Sequence, residues 1–209
     1  MLGWPDPSEI QKGGAGMKKD RRGEILDIAA ELFAVRGVAG TTVREIADRV
    51  GILSGSLYHH FDSKDAIVQE IVLDYLADIE QRYHAAAAAA DDSATELALL
   101  IQASLEASVA RPHATELYQN NHAYFASLPK ASEIQAAAAR VQKVWLDTIN
   151  AGVAAGVFRD DIPPAVFYRM IRDAVWLSVR WYNPKGRFST RQMADACTKL
   201  FLEGFLNRA

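Results

Sequence analysis

Cysteine is nearly missing from this chain, which carries only Cys197. A lone thiol excludes an internal disulfide framework and any metal site built on several cysteines. Cys197 falls on the apolar stripe of the last predicted helix and reads as a packing residue, not a reactive thiol. The histidines are few, and His84, His113 and His122 lack H-x-x-x-H or H-x-x-E-H spacing, so no metal is expected. No phosphate-binding glycine loop and no G-x-S-x-G elbow occurs. The chain is therefore not expected to be an enzyme or to hold a cofactor. Apolar runs long enough to cross a membrane are lacking, and residues 1–16 have no apolar signal-peptide core. The expectation is a cytoplasmic protein with no membrane partner. An excess of positive charge is missing too, since the net charge is -3. Cations gather locally instead, at Lys12, Lys18, Lys19, Arg21 and Arg22. Such an arm could follow phosphates or enter a minor groove, or simply stay solvated.

Half of the 209 residues are apolar and alanine is abundant, which suits helices packed on helices. No segment alternates like a strand. Periodicity and punctuation predict helices over about 63–88, 93–110, 114–127, 132–156, 164–182 and 190–207, after three shorter ones. Pro112 and Pro129 stop two of them. The Ala85–Ala90 run reads as a helix end or short linker. Residues 1–16 have prolines, glycines and no periodicity; residues 1–17 read as a disordered arm, or 1–16 as lying upstream of a start at Met17.

The densest local information lies between Thr42 and Phe61. Thr42 and Glu45 form the pattern of a capping box, which starts a helix at Val43. Ile46, Ala47 and Val50 give that helix one apolar side, and Gly51 suits the positive φ that ends it. Ser54 is placed to cap a second helix from Gly55 to about Phe61. Leu57 and Phe61 then share its inner face, while Gly55, Ser56 and His59 point outward. Two short helices with small outward side chains describe a helix-turn-helix DNA reader, although helical hairpins are also common in all-α proteins.

The run Tyr58-His59-His60-Phe61 followed by Ser63-Lys64-Asp65 resembles the signature of the TetR family of bacterial repressors. Ile25, Leu26, Ala29, Leu32, Phe33 and Gly37 match that family's first helix, so the likeness is continuous from about Arg22 to Asp65. The resemblance implies an all-α, nine-helix fold. A helix-turn-helix domain over 18–66 would be joined to a ligand-binding and dimerisation domain over 67–209. It also implies a homodimer on a near-palindromic double-stranded DNA operator. Phosphates would be met by Thr42, Tyr58, His59, Lys64 and Arg22 of the basic arm, and base edges by Arg44, Ser54, Gly55 and Ser56, with Thr41 also among the DNA contacts.

Two stripes bear on the dimer. Phe167, Met170, Ile171, Ala174, Ser178 and Trp181 form one, and Met193, Ala196, Cys197, Leu200, Phe201, Gly204 and Phe205 the other. Together they could build half of a four-helix bundle, or simply face their own core.

Arg172 and Trp176 are four apart on another face of the same predicted helix. Arginine suits phosphate and carboxylate, and tryptophan adds apolar area, so an anionic ligand with a flat part is one reading. Asp173 pairing with Arg169 or Arg180 is the other. The segment Tyr168–Tyr182 with Pro184, Gly186 and Thr190 looks like one actinobacterial TetR subgroup. Gly51–Phe61 and Trp145–Asn150 do so as well. That subgroup represses late steroid-ring (cholesterol) degradation and is released by a coenzyme A thioester. Carried over, the likeness implies an acyl-CoA-like effector met by Arg172 and Trp176. Tyr118, His122, Trp145 and Tyr168 would line the wall. A regulator of another lipid or aromatic pathway, with a non-CoA effector or none, is the alternative.

Overall fold

Helix follows helix through the computed structural model, which describes residues 21–205. Ten α-helices are found among them: α1 (Arg21–Arg36), α2 (Val43–Val50), α3 (Ser54–Tyr58), α4 (Lys64–Ala88), α5 (Ser93–Ala110), α6 (Pro112–Asn120), α7 (His122–Phe125), α8 (Ala131–Ala154), α9 (Pro164–Trp176) and α10 (Thr190–Phe205). The all-α class is as expected. The arm expected over residues 1–17, with Lys18 and Lys19, lies outside the described residues.

The small N-terminal unit is closed by Ile25, Ala29, Phe33, Ile46, Ala47 and Leu57, all essentially inaccessible. α4 runs out of that unit and becomes the spine of the larger one. Ser63 caps it by accepting from the Ala66 amide at 3.1 Å. At 1.5 Å per residue its 25 residues span roughly 37 Å. Ile67 and Ile71 are buried near its start, and Tyr75, Ile79 and Tyr83 further along. α5 and α8 pack along α4, α10 packs on α5, and α6 lies against α1. α6 is therefore the part of the larger unit that touches the reader most directly.

Two predicted helices are corrected. The one expected over 114–127 starts earlier, because Pro112 is its first residue, where a missing N–H costs nothing. It then breaks at Asn121, whose φ of -126° and ψ of 28° leave the helical region. The Asn121 side chain turns back, its Nδ2 donating to the Leu117 carbonyl at 2.8 Å. This break yields the tenth helix. The helix expected to reach Tyr182 stops at Trp176 and tightens into a 3₁₀ turn over Leu177–Arg180. Trp181 and Tyr182 amides both donate to the Ser178 carbonyl. Asn183-Pro184 follows, and a residue before proline avoids the α region.

The dimer stripes are also split. Phe167, Ile171, Ser178 and Cys197 are buried within this chain. Met170 and Trp181 on the first stripe and Leu200 on the second are open to solvent, at 60%, 67% and 74%.

Candidate DNA-reading face and sensor cavity

α2 begins as its residues require. The Glu45 amide donates to Thr42 Oγ1 at 3.2 Å, and the Thr42 amide donates to Glu45 Oε2 at 2.8 Å. That amide, then the Thr42 hydroxyl, holds the Glu45 carboxyl below its ordinary range. Gly51 ends α2 at φ 76°, and its N–H returns to the Ala47 and Asp48 carbonyls. Leu57 and Phe61 anchor the short α3 inside the unit. Thr42, Arg44, Gly55, Tyr58 and His59 are exposed, and Ser54 and Ser56 half-exposed. Arg44 has only a long 3.9 Å approach to Asp48, with its side chain 84% exposed. Such a tether is weak and leaves the guanidinium available to bases.

Three expected DNA contacts sit differently. Thr41 is a correction: it is fully buried, and its hydroxyl donates to the Gly37 carbonyl at 2.9 Å. It closes the α1–α2 corner and presents nothing to phosphate. The Lys64 ammonium points into the same corner, donating to the Val38 and Thr41 carbonyls at 2.7 and 2.9 Å. Arg22 forks onto Glu70 at 2.7 and 2.5 Å, donates to the His60 carbonyl and covers the Phe61 ring. Charge at these positions is used for internal joints. Ser54 is not the cap either; α3 begins at Ser54 and ends at Tyr58, short of the expected Phe61, and Leu53 occupies the cap position with no side-chain bond.

In the larger unit, Arg172, Trp176, Tyr118, His122 and Tyr168 converge on one small cavity of about 60 Å³. Gln119 and Gln142, which sequence reasoning missed, complete its polar wall. The Gln119 amide nitrogen is buried without a hydrogen-bond partner. An adjoining cavity of about 100 Å³ shares Tyr118 and His122 and continues along Phe125 and Ile134. Trp145 does not line the first cavity; it packs behind it, against Tyr83 and Tyr168. Arg172 pairs with its neighbour Asp173 at 2.7 Å, while Arg180 reaches Asn120. Burial raises the Tyr118 hydroxyl to about 12, so it stays protonated. Burial, then the Arg172 charge, lowers the His122 imidazole, while Asp173 opposes.

Trp176 is fixed by a buried relay that no local pattern announced. Its Nε1 donates to the Tyr83 hydroxyl at 3.2 Å, Tyr83 meets Ser104 at 2.5 Å, and Ser104 donates to the Leu100 carbonyl. A separate, mostly apolar cavity of about 160 Å³ lies beyond, between Leu105, Val109, Pro112, Tyr182 and Pro184. From the cavity wall, α7 extends to the reader: the Tyr124 hydroxyl donates to Asp65 at 2.5 Å, in the first turn of α4.

Among the described residues, no helix is long and apolar enough to cross a membrane, and no metal-binding cluster of His, Cys, Asp or Glu occurs.

Comparison with known proteins agrees with this arrangement. Residues 25–71 match the family described as bacterial regulatory proteins, tetR family, and residues 90–205 a tetracyclin repressor-like C-terminal domain. The HTH-type transcriptional repressor KstR2 of Rhodococcus jostii is 39% identical over 200 residues, 96% of each chain. KstR2 of Mycobacterium tuberculosis H37Rv is 40% identical over 190 residues, 91% of this chain and 95% of that one. A solved structure of the ketosteroid transcriptional regulator KstR2 of Mycobacterium tuberculosis superposes with a TM-score of 0.85, at 39% identity. It covers 93% of this chain and 99% of that one.

Proposed function

This chain belongs to the tetR family of bacterial regulatory proteins, and from that premise we propose a cytoplasmic, homodimeric repressor of steroid-ring catabolic genes. Its effector is a coenzyme A thioester of a partly degraded ring system. The two readers of the dimer lie in successive major grooves, roughly 34–36 Å apart. Arg44, Ser54, Gly55 and Ser56 face base edges, and Thr42, Tyr58 and His59 the phosphates. Dimerisation uses the open apolar side chains of Met170, Trp181 and Leu200.

The observation that carries the mechanism is the double attachment of α6 and α7. On one side they give Tyr118, Gln119 and His122 to the cavity. On the other, α6 packs on α1 and Tyr124 bonds Asp65. Even with the adjoining cavity of about 100 Å³, the cavity of about 60 Å³ is small for such an effector. Ligand pockets of drug size need roughly 300–1,000 Å³. A CoA thioester enters only if α6–α7 and α9 part, and parting them pulls on α1 and α4. The effector thus binds one arrangement of the readers better than the other, which is what a switch requires. Arg172 supplies the fork for an anionic group, the Gln119 amide a donor for an acyl oxygen, and Trp176 an apolar wall.

The apolar cavity around Leu105 favours a second reading, in which a steroid acid without coenzyme A is the effector. One titration separates them. An operator recovered by selection from random duplexes is labelled, and its anisotropy followed while steroid CoA thioesters or free steroid acids are added. The CoA thioester is expected to weaken binding by about 5–150-fold, the span of ordinary allosteric coupling. Arg172→Ala should keep operator affinity within about twofold and lose most of that response. Unchanged operator binding with every compound of both classes would reject the effector assignment.

A further inference from the structure

We propose that Leu53 reads a thymine methyl group in each half-site, making it a specificity-determining side chain. The inference rests on the repressor reading and goes beyond it. Leu53 occupies the cap position of α3, with φ -71° and ψ 144°, and makes no capping bond. Leucine is among the poorest residues there, because it cannot accept from the free amides of the first turn. Nor does it pack: at 80% exposed it is the most open of the large apolar side chains among the described residues. A serine that could have capped stands one position later, inside the helix. Leu53 therefore serves neither the helix nor the core.

Its surroundings suit a base edge. Gly55, with open space where a Cβ would stand, is exposed, and Ser54 and Ser56 carry short side chains. Leu53 is the long exposed side chain beside them, in the same unit as the exposed Arg44. Among the groups by which base pairs are told apart in the major groove, the C5-methyl of thymine is the one apolar group that projects from a base edge, and the others are hydrogen-bond donors and acceptors. A leucine pressed against the polar groups would leave them desolvated and unpaired, which is costly. Against thymine it buries a methyl group and strands nothing.

Deoxyuridine makes the test direct, because it keeps the hydrogen-bonding edge of thymine and lacks only the methyl. Operator duplexes selected with the full chain are remade with each symmetric pair of thymines replaced in turn. At one pair, the wild type should lose about fourfold per half-site, roughly fifteenfold in all, the worth of a buried methyl at about 0.8 kcal/mol. Leu53→Ser should bind the thymine and uracil duplexes equally while melting no lower, since it gains a cap. Leu53→Ala, which adds no hydroxyl, should also lose the preference. A scan with no sensitive pair in the wild type, or a methyl effect that persists in Leu53→Ser, overturns the inference while DNA binding stands. Failure to recover any palindrome refutes the repressor reading as well.

Discussion

Replacing Arg22 with methionine separates two uses of one positive charge. If the guanidinium met phosphate, its loss would weaken DNA binding and make the salt dependence shallower. Each phosphate contact contributes about 0.9 to the logarithmic salt slope, so two readers would lose about 1.8. The structure instead aims it inward. The Glu70 fork has side chains 41% and 35% exposed, so this pair is worth only about 0.5–1 kcal/mol. The bond to the His60 carbonyl adds about 1.5 kcal/mol, as a charged donor to a backbone acceptor. The guanidinium 4.1 Å above the Phe61 ring adds about 0.5–1 kcal/mol. Methionine keeps the aliphatic stem, so the loss is these polar terms, about 3 kcal/mol. In a chain of this size 1 kcal/mol moves Tm by about 2–4 °C, so Arg22→Met should melt roughly 6–12 °C lower. Calorimetry measures that, and operator anisotropy from 50 to 300 mM salt (roughly the range in which phosphate contacts register) measures the slope. An unchanged Tm together with a slope shallower by about 1.8 would refute the inward assignment.

Tyr124→Phe removes only the hydroxyl that joins α7 to Asp65. Operator affinity of the free protein should stay within about twofold, while release by a steroid CoA thioester falls about fivefold, within ordinary coupling; unchanged release would show that the strain travels elsewhere. Gly152→Ala places a Cβ 2.2 Å from the Phe158 ring. Overpacking of roughly 1–3 kcal/mol outweighs a helix-propensity gain of at most about 1 kcal/mol, so thermal melting should drop by several degrees. A rise would mean that Phe158 moves aside freely. For His122, burial and then Arg172 favour the neutral ring, so its folded pKa lies below the unfolded one. The sign follows: the unfolded chain takes the proton first, and stability through this group is lost as pH falls below the ordinary histidine value. An anion beside Arg172 reverses the preference, so coenzyme A thioester binding should tighten from pH 8 to pH 6. NMR titration of the imidazole should show its pKa rising on ligand addition, and no upward shift would remove His122 from the anion's surroundings.

How much of this was legible in the residues depends on the distance between partners. The α2 cap was readable because Thr42 and Glu45 are three apart and use each other. The turn was readable because Gly51 needs φ 76°. Arg172 and Trp176 stood out because one helical turn makes them neighbours, and the cavity does bring them together. Direction was not legible. A basic side chain near a DNA reader looks the same whether it faces phosphate or a carbonyl. Lys64 turns inward to acceptors 26 and 23 residues away, Arg22 to a carboxylate 48 away. Thr41 lies beside Thr42, yet one hydroxyl caps in the open while the other is sealed in a corner.

The start of α3 was not legible for a related reason. Preference for serine at a cap selected Ser54, but the backbone had already turned at Gly51 and entered the helix one residue sooner. Local preference amounts to about 1 kcal/mol, less than burying Leu57 and Phe61 at their given register. Packing therefore sets where α3 begins, and the cap position takes whichever residue falls there. When that residue is an exposed leucine, the cap preference it forgoes is offset by the burial of Leu57 and Phe61, and its side chain stays free for the base contact proposed above.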